Sequence, residues 1–297
     1  MRGLPPSRGC PYNKLMPHPV IFDRRLLRAR LARAAAIGPA TFLLDRAADE
    51  IAERLSAVLR TFDVAVDLGT PTDAVRRAIA GRVGTAVAVV ADEEALPFRD
   101  ASLDLVVSAL ALQFVNDLPG TLIQIRRALK PDGLFLAAMI GGESLAELRA
   151  AFAEAEAEVE GGVSPRVAPF ADLRDLGALL QRAGFALPVT DVDRITVRYA
   201  SPLALMHDLR RMGAGNALTE RRRTPLRRAT LRRLLEIYAE RFADPDGRIR
   251  ATFEIVWLSG WAPHQSQQQP LAPGSARTRL ADALRTQEIS AGEKAGR

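Results

Sequence analysis

A chain of 297 residues, 48% of them apolar, is long enough for one α/β domain of ordinary size with additions, and can fill its core. The single cysteine, Cys10, excludes an internal disulfide framework and a cysteine-built zinc site, and no apolar run approaches the roughly 20 residues of a membrane helix. The formal charge of +6 is carried almost wholly by arginine, and aromatics are sparse, with no basic stretch interleaved among them. Nucleic acid is therefore not an expected partner.

Residues 1–17, with four prolines and no acid, read as a disordered tail, with Met16 as an alternative start. Apolar residues at helical spacing predict helices from Asp23 to about Ala36 and from Thr41 to Leu59, the second with Leu44, Ala48, Ile51, Leu55 and Val58 on one face and Thr41 as N-cap. A short strand, Val64 to Val66, runs into Asp67-Leu68-Gly69. A helix from Asp73 to Ala80 and a β-branched run from Thr85 to Val90 follow, the run ending in Ala91-Asp92-Glu93-Glu94. Next come a strand from Leu103 to Ser108, a helix from Leu118 to Leu129, a Lys130-Pro131-Asp132-Gly133 turn and a strand from Leu134 to Met139. Strands alternating with helices across short turns predict a parallel sheet covered on both faces.

Beyond it, helices are expected over Glu143–Glu160, Leu173–Arg182, Leu203–Met212 and Pro225–Phe242, and strands over Asp191–Tyr199 and Thr252–Leu258. The organisation expected is one domain over 18–277, with its core sheet in 60–200 and a helical cap in 201–250, and a weakly ordered tail over 278–297. Glu154, Glu156, Glu158 and Glu160 alternate at two residues and so wrap around their helix, which reads as solvated. The arginines at 221–223, 227, 228, 232 and 233 form a basic cluster, either a solvated face or a docking surface for an acidic protein. His18, His207 and His264 form no close pair, and no metal site is expected.

In sheets of this kind the ligand lies beyond the carboxyl ends of the strands. Asp67 and Gly69 close the first strand. Asp92 and Glu93 close the second, about 25 residues on, near the usual spacing for a ribose-binding acid. An acid at that place is equally well read as a turn cap before Leu96-Pro97-Phe98.

Asp67-Leu68-Gly69, Ala91-Asp92-Glu93-Glu94-Ala95-Leu96-Pro97-Phe98, Leu103-Asp104-Leu105-Val106-Val107-Ser108 and Leu129-Lys130-Pro131-Asp132-Gly133 resemble four consecutive motifs of the class I S-adenosylmethionine-dependent methyltransferases. Within that class the chain resembles both the malonyl-carrier-protein O-methyltransferases and the complex I assembly factor 5 family. Ile21-Phe22-Asp23-Arg24, the stretch from Gly141 to Pro165 and the stretch from Gly260 to Ala276 favour the assembly factors. The resemblance implies a Rossmann-like sheet with S-adenosylmethionine bound by Asp67, Gly69, Asp92 and Glu93, over a floor of Ser108, Leu112 and Gln113. It also implies a complex I subunit as partner and an arginine of that subunit as the site of hydroxylation. Gln113-Phe114 is closer to the carrier-protein branch, which implies methylation of a malonyl thioester instead. With no membrane or secretory signal read in the sequence, the compartment expected is the cytoplasm of a bacterium or the mitochondrial matrix.

One departure falls in the cofactor loop. The class pattern, acid-x-Gly-x-Gly-x-Gly, is here Asp67-Leu68-Gly69-Thr70-Pro71-Thr72-Asp73, with one glycine left and Pro71 removing a backbone donor. The chain is also one strand–helix unit shorter before Asp92, and in the class that unit carries the ribose-binding acid. Either Asp92 or Glu93 takes that role, or the cofactor is bound weakly or not at all, leaving a binding module. Loss of one charged hydrogen-bond partner costs roughly 1.5–3 kcal/mol, about 10- to 150-fold in affinity.

Overall fold

The computed structural model describes residues 20–89, 93–268, 275 and 278–287. Asp92 lies outside the described residues. The described residues up to Pro263 form one compact unit, and those from His264 onward a second.

Asp23 caps α1 (Arg24–Ala36), its carboxylate accepting from Leu26 N–H at 2.9 Å. Thr41 precedes α2 (Phe42–Ser56), but its hydroxyl donates to the Asp45 carboxylate at 2.7 Å and leaves the helix amides uncapped. β1 (Phe62–Leu68), α3 (Ala74–Ile79), β2 (Val83–Val89), β3 (Leu103–Ala109), α4 (Leu118–Ala128) and β4 (Leu129–Ile140) follow as the alternation predicts. Lys130 to Gly133 belong to the start of β4, with Asp132 left-handed at φ +65°. Then come α5 (Ala146–Glu160), α6 (Leu173–Arg182), β5 (Ala186–Tyr199), α7 (Pro202–Arg211), α8 (Arg228–Phe242) and β6 (Ile249–Trp261). In the second unit, α9 spans Leu280–Leu284.

The six strands run β2-β1-β3-β4-β6-β5. The first four are parallel; β6 is antiparallel to both β4 and β5, so the sheet is mixed and not parallel throughout. The sheet thus draws on residues beyond 200, because β6 inserts between β4 and β5. β2 pairs directly with β1 and forms an edge, with only partial burial along its length.

Period-two alternation splits the core. Val106 faces α4 and α6 with Leu122, Ile125, Leu176 and Leu180, while Leu105 and Val107 face α2 and α3 with Ile51 and Ile79. Trp257 packs in that second layer, with the Arg54 guanidinium 4.5 Å from its ring centre. Asp104 ties the opposite sheet end, accepting from Val64 N–H and from Lys130 Nζ, each at 2.9 Å.

Two surface readings are corrected. Glu156 is fully buried, accepting from Ser164 N–H at 2.7 Å and Arg166 Nε at 2.7 Å. Glu160 pairs with Arg222 and Thr230, Glu158 with Arg233, and Glu154 with Arg241. The acid-rich α5 therefore answers much of the basic segment around α8 within the chain. Arg222 and Arg233 are committed to internal partners.

Candidate functional site

β1 leads outward to β2 while β3 and β4 build the other half, so the chain reverses direction at the β1/β3 seam. Crevices form beyond strand ends at such a point. Here the seam is closed by side chains: Ser108 Oγ donates to Leu68 O at 2.8 Å, and Ala109 N–H donates to Thr70 Oγ1 at 3.1 Å. Gly69 leaves the sheet at φ +73°, a conformation that side chains disfavour.

The turn after β2 is pinned over Gly69 by α4. Thr121 Oγ1 donates to Glu93 O, and Gln124 Nε2 donates to Glu94 O, each at 2.9 Å. The Asn116 side chain joins this turn's surroundings to the entry segment by accepting from Ile21 and Phe22 N–H. The Glu93 carboxylate pairs with Arg24 at the start of α1, whose guanidinium also donates to Phe114 O at 3.1 Å.

Gly69, Glu93 and Gln113 line one cavity of about 1260 Å3, which extends between α1 and α7. Pro71 is exposed on its lining and does not fill it. Gln113 Nε2 donates to Leu110 O at 2.7 Å, while its buried Oε1 has no partner among the described residues. Ser108 and Leu112 do not line the cavity. Ser108 serves the β1/β3 seam and Leu112 is core beneath it.

Asp67 lies behind Gly69, 2% exposed, and neither carboxylate oxygen has a hydrogen-bond partner among the described residues. Burial pushes its carboxyl up to about 6, against the nearby Thr70 hydroxyl and the Arg76 charge.

Arg24, Asn116, Thr121 and Gln124 were not among the site residues expected from sequence. Only Arg24 gave a signal, inside the Ile21–Arg24 motif. His264 is placed in the second unit, its Nδ1 2.7 Å from Ser266 Oγ. Among the described residues no group of three or more His, Cys, Asp or Glu side chains is gathered to hold a metal ion.

A mixed α/β sheet with its cavity at the switch between parallel strands defines a Rossmann-like protein of the methyltransferase type. The description "Methyltransferase domain" matches residues 49–137. The solved structure described as a methyltransferase from Bacillus halodurans shares the fold, with a TM-score of 0.50 over 73% of this chain and 99% of that one, at 17% identity. The proteins named "Arginine-hydroxylase NDUFAF5, mitochondrial" are 37% identical in Danio rerio (88% of this chain, 89% of that protein) and 40% identical in Homo sapiens (86% and 81%). The malonyl-[acyl-carrier protein] O-methyltransferase of Halorhodospira halophila is 40% identical over 64% of this chain and 62% of its own length. The chain belongs to the NDUFAF5 family of methyltransferase-fold proteins.

Proposed function

We propose that this chain acts in the assembly of respiratory complex I, where an arginine of a complex I subunit enters the crevice and is hydroxylated, one hydrogen being replaced by OH with the oxygen atom and the two oxidising equivalents drawn from dioxygen and a co-reductant, since a methyl sulfonium supplies neither. The match to proteins named arginine-hydroxylase over 88% of the chain carries this reading. The compartment is then that of the subunit before assembly, the bacterial cytoplasm or the mitochondrial matrix. No helix among the described residues is long and apolar enough to cross a membrane.

S-adenosylmethionine is the cofactor this reading assigns to the inner end of the cavity. The residues fit it in two respects. A cavity of about 1260 Å3 exceeds the ~300–1,000 Å3 of ordinary small-ligand sites, leaving space for an acceptor side chain. The Glu93 carboxylate, seated over Gly69 and paired with Arg24, is the group this reading assigns to the ribose, since a carboxylate has acceptor capacity for paired hydroxyls beside one cation. When bound, the cofactor supplies a sulfonium centre with an electrophilic methyl group. With one glycine left in the loop and Pro71 offering no N–H, its affinity falls below that of an intact loop.

The chain's own residues orient the acceptor. Gln113 lies on the cavity lining, and its buried, unpartnered Oε1 would accept a guanidinium N–H once the side chain turns into the cavity. Phe114 closes the rim, held edge-on between Phe22 and Phe170. Deleting the gene tests the proposal: complex I should fail to accumulate, and mass spectrometry of its subunits should show one arginine lacking an oxygen atom. Fully assembled complex I with that arginine unchanged contradicts it.

Gln113 and the 40% identity to a malonyl-carrier-protein enzyme support a second reading, methyl transfer to a carrier-bound carboxylate. Release of S-adenosylhomocysteine on adding a malonyl carrier protein identifies it.

A further inference from the structure

The cavity is far more basic at its α1–α7 end than a cofactor and a cationic acceptor require. Among the described residues its lining holds seven arginines and one carboxylate, Glu93. Within the fold Arg24 pairs with Glu93, Arg166 with Glu156 and Arg211 with Asp208 at 3.6 Å, and Arg28 also has a partner.

The side chains of Arg30, Arg33 and Arg210 show no hydrogen bond or ion pair to any described residue. Arg30 is half-buried and lies on the backbone at Gly215, where a β-carbon would come within 2.5 Å of its Nη1. Desolvation and the positive charges of Arg221 and Arg33 lower its pKa, with only Asp23 opposing them. Asp23 is itself paired with Arg221 at 3.3 Å. A partly desolvated cation among like charges, facing a cavity, is the arrangement that receives an anion.

Six residues of α1 separate Arg30 from Arg24, the partner of Glu93, which is about 9 Å of helix axis. Three residues of extended polypeptide span about 10 Å. Resting on the reading of a protein-arginine acceptor, we propose that Arg30, Arg33 and Arg210 bind the carboxylate of an Asp or Glu about three residues from the acceptor arginine. The substrate class is thus a polypeptide with an acid close to its modified arginine. The cation sits at the Glu93–Gln113 end and the acid at the α1–α7 end.

The test uses the purified full chain and two fluorescent decapeptides, each with one arginine, that differ only in Asp or Asn three positions away. Anisotropy should show the Asp peptide binding at least about tenfold tighter, a preference that shrinks as salt rises. Arg30→Gln should abolish the preference. So should Gly215→Ala, which displaces the guanidinium but keeps its charge, and Arg210→Gln, on an exposed side chain, should weaken it if Arg30→Gln fails to fold. Equal affinity for the two peptides, binding of neither, or a preference surviving all three variants overturns the proposal. The readout needs neither turnover nor cells, so a normal complex I in the deletion strain would fault the assembly role alone.

Discussion

The carboxylate of Glu93 stands 2.8 Å from the point that a β-carbon on Gly69 would occupy, with the Ala111 methyl 3.1 Å away on another side. Two segments from opposite sides of the β1/β3 seam thus meet over a backbone that has no side chain. Gly69→Ala should strain a left-handed residue and push Glu93 away, costing about 1–3 kcal/mol. For a chain of this size that lowers Tm by roughly 2–4 °C per kcal/mol, measurable by calorimetry. An unchanged Tm would show that the turn yields freely.

The Arg24–Glu93 pair holds α1 to the same turn, with side chains 15% and 13% exposed. Either Arg24→Gln or Glu93→Gln should destabilise by about 1.5–3 kcal/mol, since each removes a charged hydrogen bond between two mostly buried groups. The double variant should cost less than the sum. Urea unfolding of all four proteins measures the coupling, and strict additivity would mean that the pair carries none.

Asp67 sets a pH dependence. Its folded pKa of about 6 lies above the ordinary 3.8, so the folded chain holds the proton more tightly than the unfolded one. That contribution is complete below about pH 4 and is lost as pH rises through about 6, a loss of roughly 3 kcal/mol. Asp67→Asn should therefore raise Tm relative to the parent above about pH 7 and match it below about pH 4. An identical offset at every pH would contradict the buried, unpartnered carboxyl.

At the far end of α5, Glu156 shows the opposite shift. Desolvation raises its pKa, but Ser164 and Arg166 outweigh that and lower it. Its stabilisation is present at neutral pH and lost as pH falls below the ordinary 4.5 through the lower folded value. Glu156→Gln should cost about 3 kcal/mol at neutral pH, since it strands Arg166, and less in acid. Glu158→Gln, on the exposed side of the same helix, should change stability far less. Chemical unfolding of both variants at two pH values decides this.

The alternation of strands and helices was readable because each element carries its own period. The Asp67-Leu68-Gly69 stretch marked the end of β1, where Gly69 takes a left-handed φ of +73° on the cavity lining. Direction in the sheet was hidden, since a half-buried strand such as β5 alternates alike whether its neighbour runs parallel or antiparallel. Glu156 was misread because spacing along a helix does not reveal that the chain folds back, bringing Ser164 and Arg166 to it. Arg24 and Glu93 are 69 residues apart, and no local rule joins them. Ser108 and Leu112 carry motif positions yet serve the seam and the core, because a motif records place in the chain and not which face of the strand is turned to the ligand.

Titration calorimetry of the full chain with S-adenosylmethionine tests the crevice most directly. One saturable site is predicted, with a stabilisation of about 2.7 kcal/mol at 100 times the dissociation constant, and Gly69→Asp should abolish both signals. No heat and no thermal shift from the parent chain at millimolar ligand would contradict the assignment of the cavity beside Gly69, Glu93 and Gln113 to the cofactor.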